Sequence, residues 1–184
     1  MRKKMFLAVV LLTCIISITV GFPASAQSIS ELKITAPFDS LGLTAVTASG
    51  NVKTGTIEVS MIFKNNYSKM AGVSLSLGGF PDFGITDAKG RKYKLHTDGN
   101  AVNTNKGYQD IPFIQFGDKK FTWVATVAQQ IPPTETRKLI VRINKLDRST
   151  GAITDFHIRC ILSLDYGHIG DKVYKIENLK VDWN

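Results

Sequence analysis

Short segments in which apolar and polar residues alternate run through the chain from residue 43 to residue 183, separated by turn-forming residues. Segment 56–64 shows the pattern most clearly, with Ile57, Val59, Met61 and Phe63 at every second position. The residues between them are Glu58, Ser60 and Ile62. An extended strand points successive side chains to opposite faces, so a period of two predicts a strand with one buried face. Residues 27–184 contain no convincing amphipathic helix pattern. The pattern therefore predicts an all-β fold.

The alternation predicts about seven to nine strands in one domain. The segments that satisfy it are 43–49, 56–64, 73–77, 84–87, 91–96, 121–127, 139–143, 156–164 and 173–183. The connections carry turn signals, such as Gly90 after Asp87, where a positive φ is expected, and Pro132-Pro133, which interrupts a strand. Strands at this spacing predict an antiparallel β-sandwich, with a small β-barrel as the alternative.

Residues 1–26 have the three zones of a secretory signal peptide. A basic start, Arg2-Lys-Lys4, precedes an apolar run over 6–22 and a small-residue exit, Pro23-Ala-Ser-Ala26. The A-x-A motif predicts cleavage after Ala26. The mature domain would then be 27–184, located in the periplasm or outside the cell, with no membrane span once the signal is removed.

Two other fates of this N-terminal segment stay open. A retained membrane anchor is one, because the apolar run is close to the lower length limit for spanning a bilayer. Lipid attachment at Cys14 is the lesser alternative, because Thr13 stands where a lipoprotein signal has Gly, Ala or Ser.

The net charge excludes nucleic acid as an expected partner. The whole chain has 23 Lys and Arg against 15 Asp and Glu, a formal charge of +8. Three of the cations lie in the signal segment, so the mature part has 20 cations against 15 acids, or +5. A charge of this size favours solubility and is poor evidence for a nucleic-acid partner, and the sequence contains no long basic run.

The cysteine and histidine positions indicate packing roles. Removal of Cys14 leaves Cys160 alone, so no intramolecular disulfide is expected. Cys160 shares its strand parity with Ile158 and Leu162, which predicts a buried, inert thiol and not a nucleophile. By the same parity His157 is predicted on the exposed face of its strand.

Catalytic motifs are absent from the sequence. His96, His157 and His168 have no zinc-binding spacing, and neither a G-x-S-x-G elbow nor a phosphate-binding glycine loop occurs. The sequence predicts a non-enzyme with no cofactor and no metal. Two alternatives remain. One is a calcium ion held by oxygen donors of residues 98–105, within the polar loop 97–110. The other is a small hydrolase built on dispersed carboxylates.

Three segments resemble the uncharacterised secreted immunoglobulin-like β-sandwich domains of bacterial envelopes. The first, 57–66, is an alternating strand that ends in an asparagine pair. The second, 87–93, is a hairpin with an acidic residue, a glycine and a tyrosine. The third, 131–141, is a turn marked by prolines that leads into a strand. The resemblance implies a single antiparallel immunoglobulin-like β-sandwich and an exported protein. Domains of this type share no catalytic residues, so it implies no active site.

The candidate binding residues are aromatic side chains in loops. Phe80 and Phe83 flank Pro81-Asp82 in a glycine-rich segment, and Tyr108 lies in the polar loop. Exposed aromatics anchor protein interfaces and stack on sugars, although each of the three also fits as a plug over the edge of the core. The prediction is a non-catalytic binding or structural module whose partner is an envelope protein or glycan. A carbohydrate-binding module that uses these aromatics is the alternative, followed by the small secreted hydrolase.

Overall fold

A computed structural model describes residues 31–77, 83–93, 111, 113–121, 126–144 and 147–184. These residues form strands and turns and contain no α-helix. The strands are β1 (Lys33–Thr35), β2 (Leu41–Asn51), β3 (Thr56–Asn65), β4 (Ala71–Ser76), β5 (Phe83–Asp87), β6 (Lys92–Tyr93), β7 (Phe113–Phe116), β8 (Lys119–Phe121), β9 (Thr126–Ile131), β10 (Thr136–Ile143), β11 (Ala152–Leu164) and β12 (Gly167–Trp183).

The strands form two sheets that share β12. In the first sheet β11 is central, with β12 and then β1 on one side. On its other side β11 pairs with β5 along its first half and with β4 along its second, and these are extended by β6 and β9. The second sheet has the order β2-β3-β10-β7-β8. All of these pairs are antiparallel.

The end of β12 leaves the first sheet and joins the second. Val181, Asp182 and Trp183 pair in parallel with residues 48–50 of β2. The indole Nε1 of Trp183 donates to the carbonyl oxygen of Thr150 at 2.8 Å. One strand therefore ties the edges of both sheets together.

The inward faces of the two sheets form one apolar core. The predicted inward residues of β3, Ile57 to Phe63 at every second position, are fully buried, as are those of β10 and β11 except Leu164, which is partly buried. The Phe63 ring of the second sheet meets the Tyr174 ring of the first edge-on, at 5.3 Å between centroids and 87°. Full burial of one such side chain stabilises the fold by roughly 1.5–3 kcal/mol. The predicted all-β sandwich class is confirmed.

The structure differs from the prediction in strand number and in one connection. Twelve strands lie within the described residues, because several short pairs add to those predicted. The predicted strand 121–127 is divided between β8, in the second sheet, and β9, in the first. The β7–β8 hairpin turns at Gly117, whose φ of 61° suits glycine. The last strand also begins earlier than predicted, at Gly167 and not at Val173.

Candidate functional site

Asn65 joins two loops at one end of the sandwich. It is fully buried at the end of β3. Its Nδ2 donates to the carbonyl oxygens of Lys69 at 2.7 Å and Ile131 at 2.9 Å, and its Oδ1 accepts from the backbone N–H of Tyr67 at 3.0 Å. Both ends of the amide are satisfied, so the residue fixes the β3–β4 loop against the end of β9.

The same end is fastened to two further segments. The backbone N–H of Asn66 donates to the Ser40 carbonyl oxygen at 2.9 Å, which holds the turn before β2. The backbone N–H of Asp165, in the β11–β12 turn, donates to the Met70 carbonyl oxygen at 3.2 Å. The Nζ of Lys69 lies 2.9 Å from Oδ2 of Asp165, and this carboxylate raises the pKa of Lys69 above its usual value. Four loops are therefore linked to one another.

These loops present three large side chains to solvent. Tyr166 is 95% exposed, Tyr67 is 41% exposed and Met70 is 36% exposed. Asp165 and Tyr166 both have positive φ, 46° and 67°, so the tyrosine stands at the tip of a tight two-residue hairpin turn. We call Tyr67, Lys69, Met70, Asp165 and Tyr166 the loop platform.

A shallow groove crosses the outer face of the first sheet beside the loop platform. It has a volume of about 400 Å³ and runs over β9, β4 and β11, and Lys119 of β8 also borders it. Its floor is made of small residues, Gly72 and Ser74, and its sides carry Gln130 and Ile161. Met70 has the strand parity of Gly72, so it lies in line with the groove at the platform end. We call this feature the sheet groove.

The predicted site residues fall in other places. Phe83 is the first residue of β5 and only 1% exposed, with its ring edge-on to Phe156 at 5.8 Å. The structure thus gives Phe83 a core-packing role and corrects its prediction as an exposed contact, because β5 turns this side chain inward. Phe80 and Tyr108 lie outside the described residues, as do the signal segment 1–26 and the loop 97–110.

The structure also decides two packing predictions on β11. Cys160 is fully buried, and burial raises the pKa of its thiol to about 12, which confirms an inert core thiol. His157 was predicted to be exposed and is only 8% exposed, so that prediction is wrong. Its Nδ1 lies 2.9 Å from Oδ2 of Asp155, and its ring lies over Gly84, where the missing side chain leaves space.

The described part of the chain contains neither a metal-binding cluster nor a membrane-spanning helix. There, three or more His, Cys, Asp or Glu side chains do not gather in a group that could hold a metal ion. The same residues include no helix with the length and hydropathy needed to cross a bilayer.

Sequence reasoning missed the two exposed tyrosines, although each has a local signal. Tyr166 precedes Gly167 and follows Asp165 directly after the apolar strand β11, which is a hairpin-turn sequence. Tyr67 lies in a turn-rich stretch that begins at Asn65. An aromatic residue inside a tight turn has no strand face to bury it, and this distinguishes Tyr166 from Phe83.

No family model matches the sequence, and no curated protein matches it. Several solved structures are similar in their strand arrangement. The ASH/PapD-like domain 7 of human CEP192 has a TM-score of 0.37 and 9% identity, covering 89% of this chain and 97% of that one. The CooA pilin subunit of enterotoxigenic Escherichia coli has a TM-score of 0.39 and 12% identity, covering 79% and 99%. The collagen-binding domain of a Staphylococcus aureus adhesin has a TM-score of 0.27 and 10% identity, covering 74% of this chain and 96% of that one. Similarity at this level transfers no residue role to this chain.

Proposed function

We propose that this chain is an exported, non-catalytic module that binds an extended segment of an envelope protein through the loop platform and the sheet groove. The observation that carries the proposal is Tyr166, which is 95% exposed at the tip of a hairpin that neighbouring loops hold in place. A large aromatic side chain kept in water by a rigid turn has no packing role in the monomer. Tyrosine is also among the residues that contribute most to protein interfaces.

The rigidity of the platform favours binding. Asn65 and the Lys69–Asp165 ion pair fix the loops before a partner arrives, so ordering them costs little on association. Met70, directly before β4, adds an exposed, polarisable side chain to the platform. The small residues of the groove floor allow a partner's main chain to approach the sheet closely.

A carbohydrate partner is the second candidate, and one observation favours it. The groove lining includes Gln130, whose side chain is exposed on β9, and the loop platform adds two exposed tyrosines. Amides bond sugar hydroxyls and aromatic faces stack on sugar rings. Met70 and Ile161 make the surface less suited to a glycan than to an apolar peptide segment.

Export is part of the proposal and has its own test. The support is the three-zone N-terminal sequence with its A-x-A motif at Ala24–Ala26. The full chain is expressed, cells are fractionated, and the N-terminus of the purified protein is sequenced. A mature N-terminus at Gln27 in the envelope or medium is the expected result. An intact Met1 in the cytoplasm would overturn export.

The binding test compares matched variants on two sets of probes. The purified protein is titrated against solubilised envelope proteins and against an array of cell-wall glycans. Tyr166→Ala and Met70→Ala are expected to abolish saturable binding to one protein component. Val173→Ala, which shortens an exposed apolar side chain of β12 away from the platform, is the control and should bind normally.

The outcomes separate the two candidates. Saturable binding to glycans that is lost in Tyr166→Ala would replace the protein partner with a carbohydrate. Binding that is unchanged in both platform variants would overturn the assignment of the site to the loop platform.

A further inference from the structure

A second, smaller cavity lies on the outer face of the second sheet. It has a volume of about 290 Å³, just below the range typical of small-molecule pockets. Its side chains are almost entirely polar: Ser49, Asn51, Thr56, Glu58, Arg142 and Asn184. The cavity lies near the β2–β3 hairpin, at the end of the sandwich opposite the loop platform. We call it the polar cavity.

The lining side chains come from adjacent positions of three neighbouring strands. Ser49 of β2 is opposite Glu58 of β3, and Glu58 is opposite Arg142 of β10. Asn51 and Thr56 form the next row at the end of the hairpin. Residues in register on one sheet face are close neighbours held by the backbone ladder. The backbone positions that carry the polar side chains are therefore fixed relative to one another before any ligand binds.

The chain around the polar cavity is also locked. The backbone N–H of Asn184 donates to the Gly50 carbonyl oxygen at 2.8 Å, and the N–H of Val52 donates to the Asn184 carbonyl oxygen at 2.9 Å. On the other side of Gly50, the Trp183 ring comes so close that a side-chain Cβ there would lie 2.5 Å from it. This packing keeps β2 and the end of β12 together as a rigid border.

The charges in the cavity balance. The Nε of Arg142 donates to Oε1 of Glu58 at 2.9 Å, and its Nη2 bonds the same oxygen. Both bonds use Oε1, so Oε2 of Glu58 takes part in neither. The two side chains are about 40% exposed, so the pair borders the cavity as a polar group without net charge.

We infer that the polar cavity binds a neutral, polyhydroxylated ligand about the size of one sugar residue. Asn51 Oδ1 accepts the backbone N–H groups of Lys53 and Thr54, and the Thr56 hydroxyl bonds that of Thr54. The Glu58 carboxylate, the Ser49 hydroxyl and the amide NH₂ of Asn51 supply acceptors and donors at close spacing, which suits adjacent hydroxyl groups. The Glu58–Arg142 pair has no net charge, so the cavity offers neither an anion nor a cation an excess of opposite charge. This site is independent of the loop platform and of the partner proposed for it.

The test is a titration of the isotopically labelled full chain, followed by ¹H–¹⁵N NMR spectra. The probes are glucose, galactose and N-acetylglucosamine, with inorganic phosphate as the anionic comparison and methylammonium as the cationic one. At least one sugar should give saturable shifts of the Ser49, Asn51 and Thr56 amides with a millimolar dissociation constant. Phosphate and methylammonium should give none.

Two variants test the role of the ion pair. Glu58→Gln keeps the side-chain shape, and it should weaken sugar binding about tenfold or more because charge-assisted hydrogen bonds are lost. Arg142→Met should do the same. Lys138→Met is the matched control, since Lys138 is a cation on the outward face of the same strand outside the cavity, and sugar binding should be unchanged.

Each other outcome overturns the inference. The absence of saturable shifts with all three sugars, saturation by phosphate or methylammonium, or wild-type sugar binding in folded Glu58→Gln would each exclude a neutral polyol site here. Tyr166→Ala separates this site from the platform. It should retain sugar binding at the polar cavity while losing the envelope partner, so the two proposals can fail separately.

Discussion

Asn65 is the buried polar residue on which the loop platform depends. Its side chain makes three hydrogen bonds inside the protein, and replacement by alanine leaves the Lys69 and Ile131 carbonyl oxygens without this donor. We expect Asn65→Ala to lower the free energy of unfolding by about 3 kcal/mol, measured by urea denaturation. Asn66→Ala, which removes one exposed side-chain bond of 3.3 Å to the Asp39 carbonyl oxygen, should cost less than about 1 kcal/mol. Equal losses in the two variants would contradict this role for Asn65.

Cys160 makes stability depend on pH in the alkaline range. Burial raises its folded-state pKa to about 12, whereas an unfolded thiol titrates near about 8.5. The folded chain therefore retains the proton between these values, so the contribution is complete below pH ~8.5 and is lost as pH rises toward the folded pKa. By pH 10 the loss is about 2 kcal/mol relative to neutral pH. Urea denaturation of the chain and of Cys160→Ala at both pH values measures it: the native chain should lose about 2 kcal/mol against the variant. A difference independent of pH would refute the buried-thiol account.

The β11–β12 hairpin holds an exposed tyrosine in a backbone conformation that is unfavourable for residues other than glycine. Tyr166 has a φ of 67°, a region that glycine occupies without the cost paid by other residues. Because its ring buries little surface, Tyr166→Gly should raise the free energy of unfolding by about 0.5–1 kcal/mol, seen as a higher urea midpoint. The same variant should lose the envelope partner. Thr134→Gly, in another exposed turn with a φ of 65°, is the control that should gain stability and keep binding.

The strands themselves could be predicted where alternation is strong and local. The segment 56–64 matches β3, and 139–143 and 156–164 fall inside β10 and β11, because one buried face requires an apolar residue at every second position. The prediction of one strand over 121–127 was wrong for a physical reason. Its alternation continues while the chain passes from β8 in one sheet to β9 in the other, and a period of two contains no signal for a change of sheet.

The candidate site was less predictable than the strands. The sequence pattern assigns aromatic residues to loops. Whether a ring packs inward or faces water depends on contacts with residues that are distant in sequence. Phe83 is buried because β11 brings Phe156 beside it, more than seventy residues later along the chain. The polar cavity likewise needs Glu58 and Arg142 to be paired across β3 and β10, a long-range register that the sequence pattern does not contain.

The two sheets should unfold as one unit because β12 belongs to both of them. Its first part pairs along β11, while its last residues pair with β2 of the other sheet. The core between the sheets is continuous, and Tyr174 of β12 donates from its hydroxyl to the Leu41 carbonyl oxygen of β2 at 2.6 Å. Because each sheet buries the inner face of the other, neither retains a covered core if they separate.

Removal of the strand end tests this coupling. Deletion of residues 181–184 removes the parallel pairing with β2, the Trp183 ring over Gly50 and the bond from its indole to Thr150. We expect the free energy of unfolding to fall by about 4 kcal/mol, the scale of losing a large aromatic from a packed site, with one cooperative transition for all strands in urea. Deletion of Asn184 alone removes two backbone hydrogen bonds and should cost about 1–2 kcal/mol. Far-UV circular dichroism and amide hydrogen exchange should report the same midpoint. If exchange in the full-length chain instead showed the second sheet opening while β11 and its neighbours stayed protected, the sheets would be independent and the role given to β12 would be wrong.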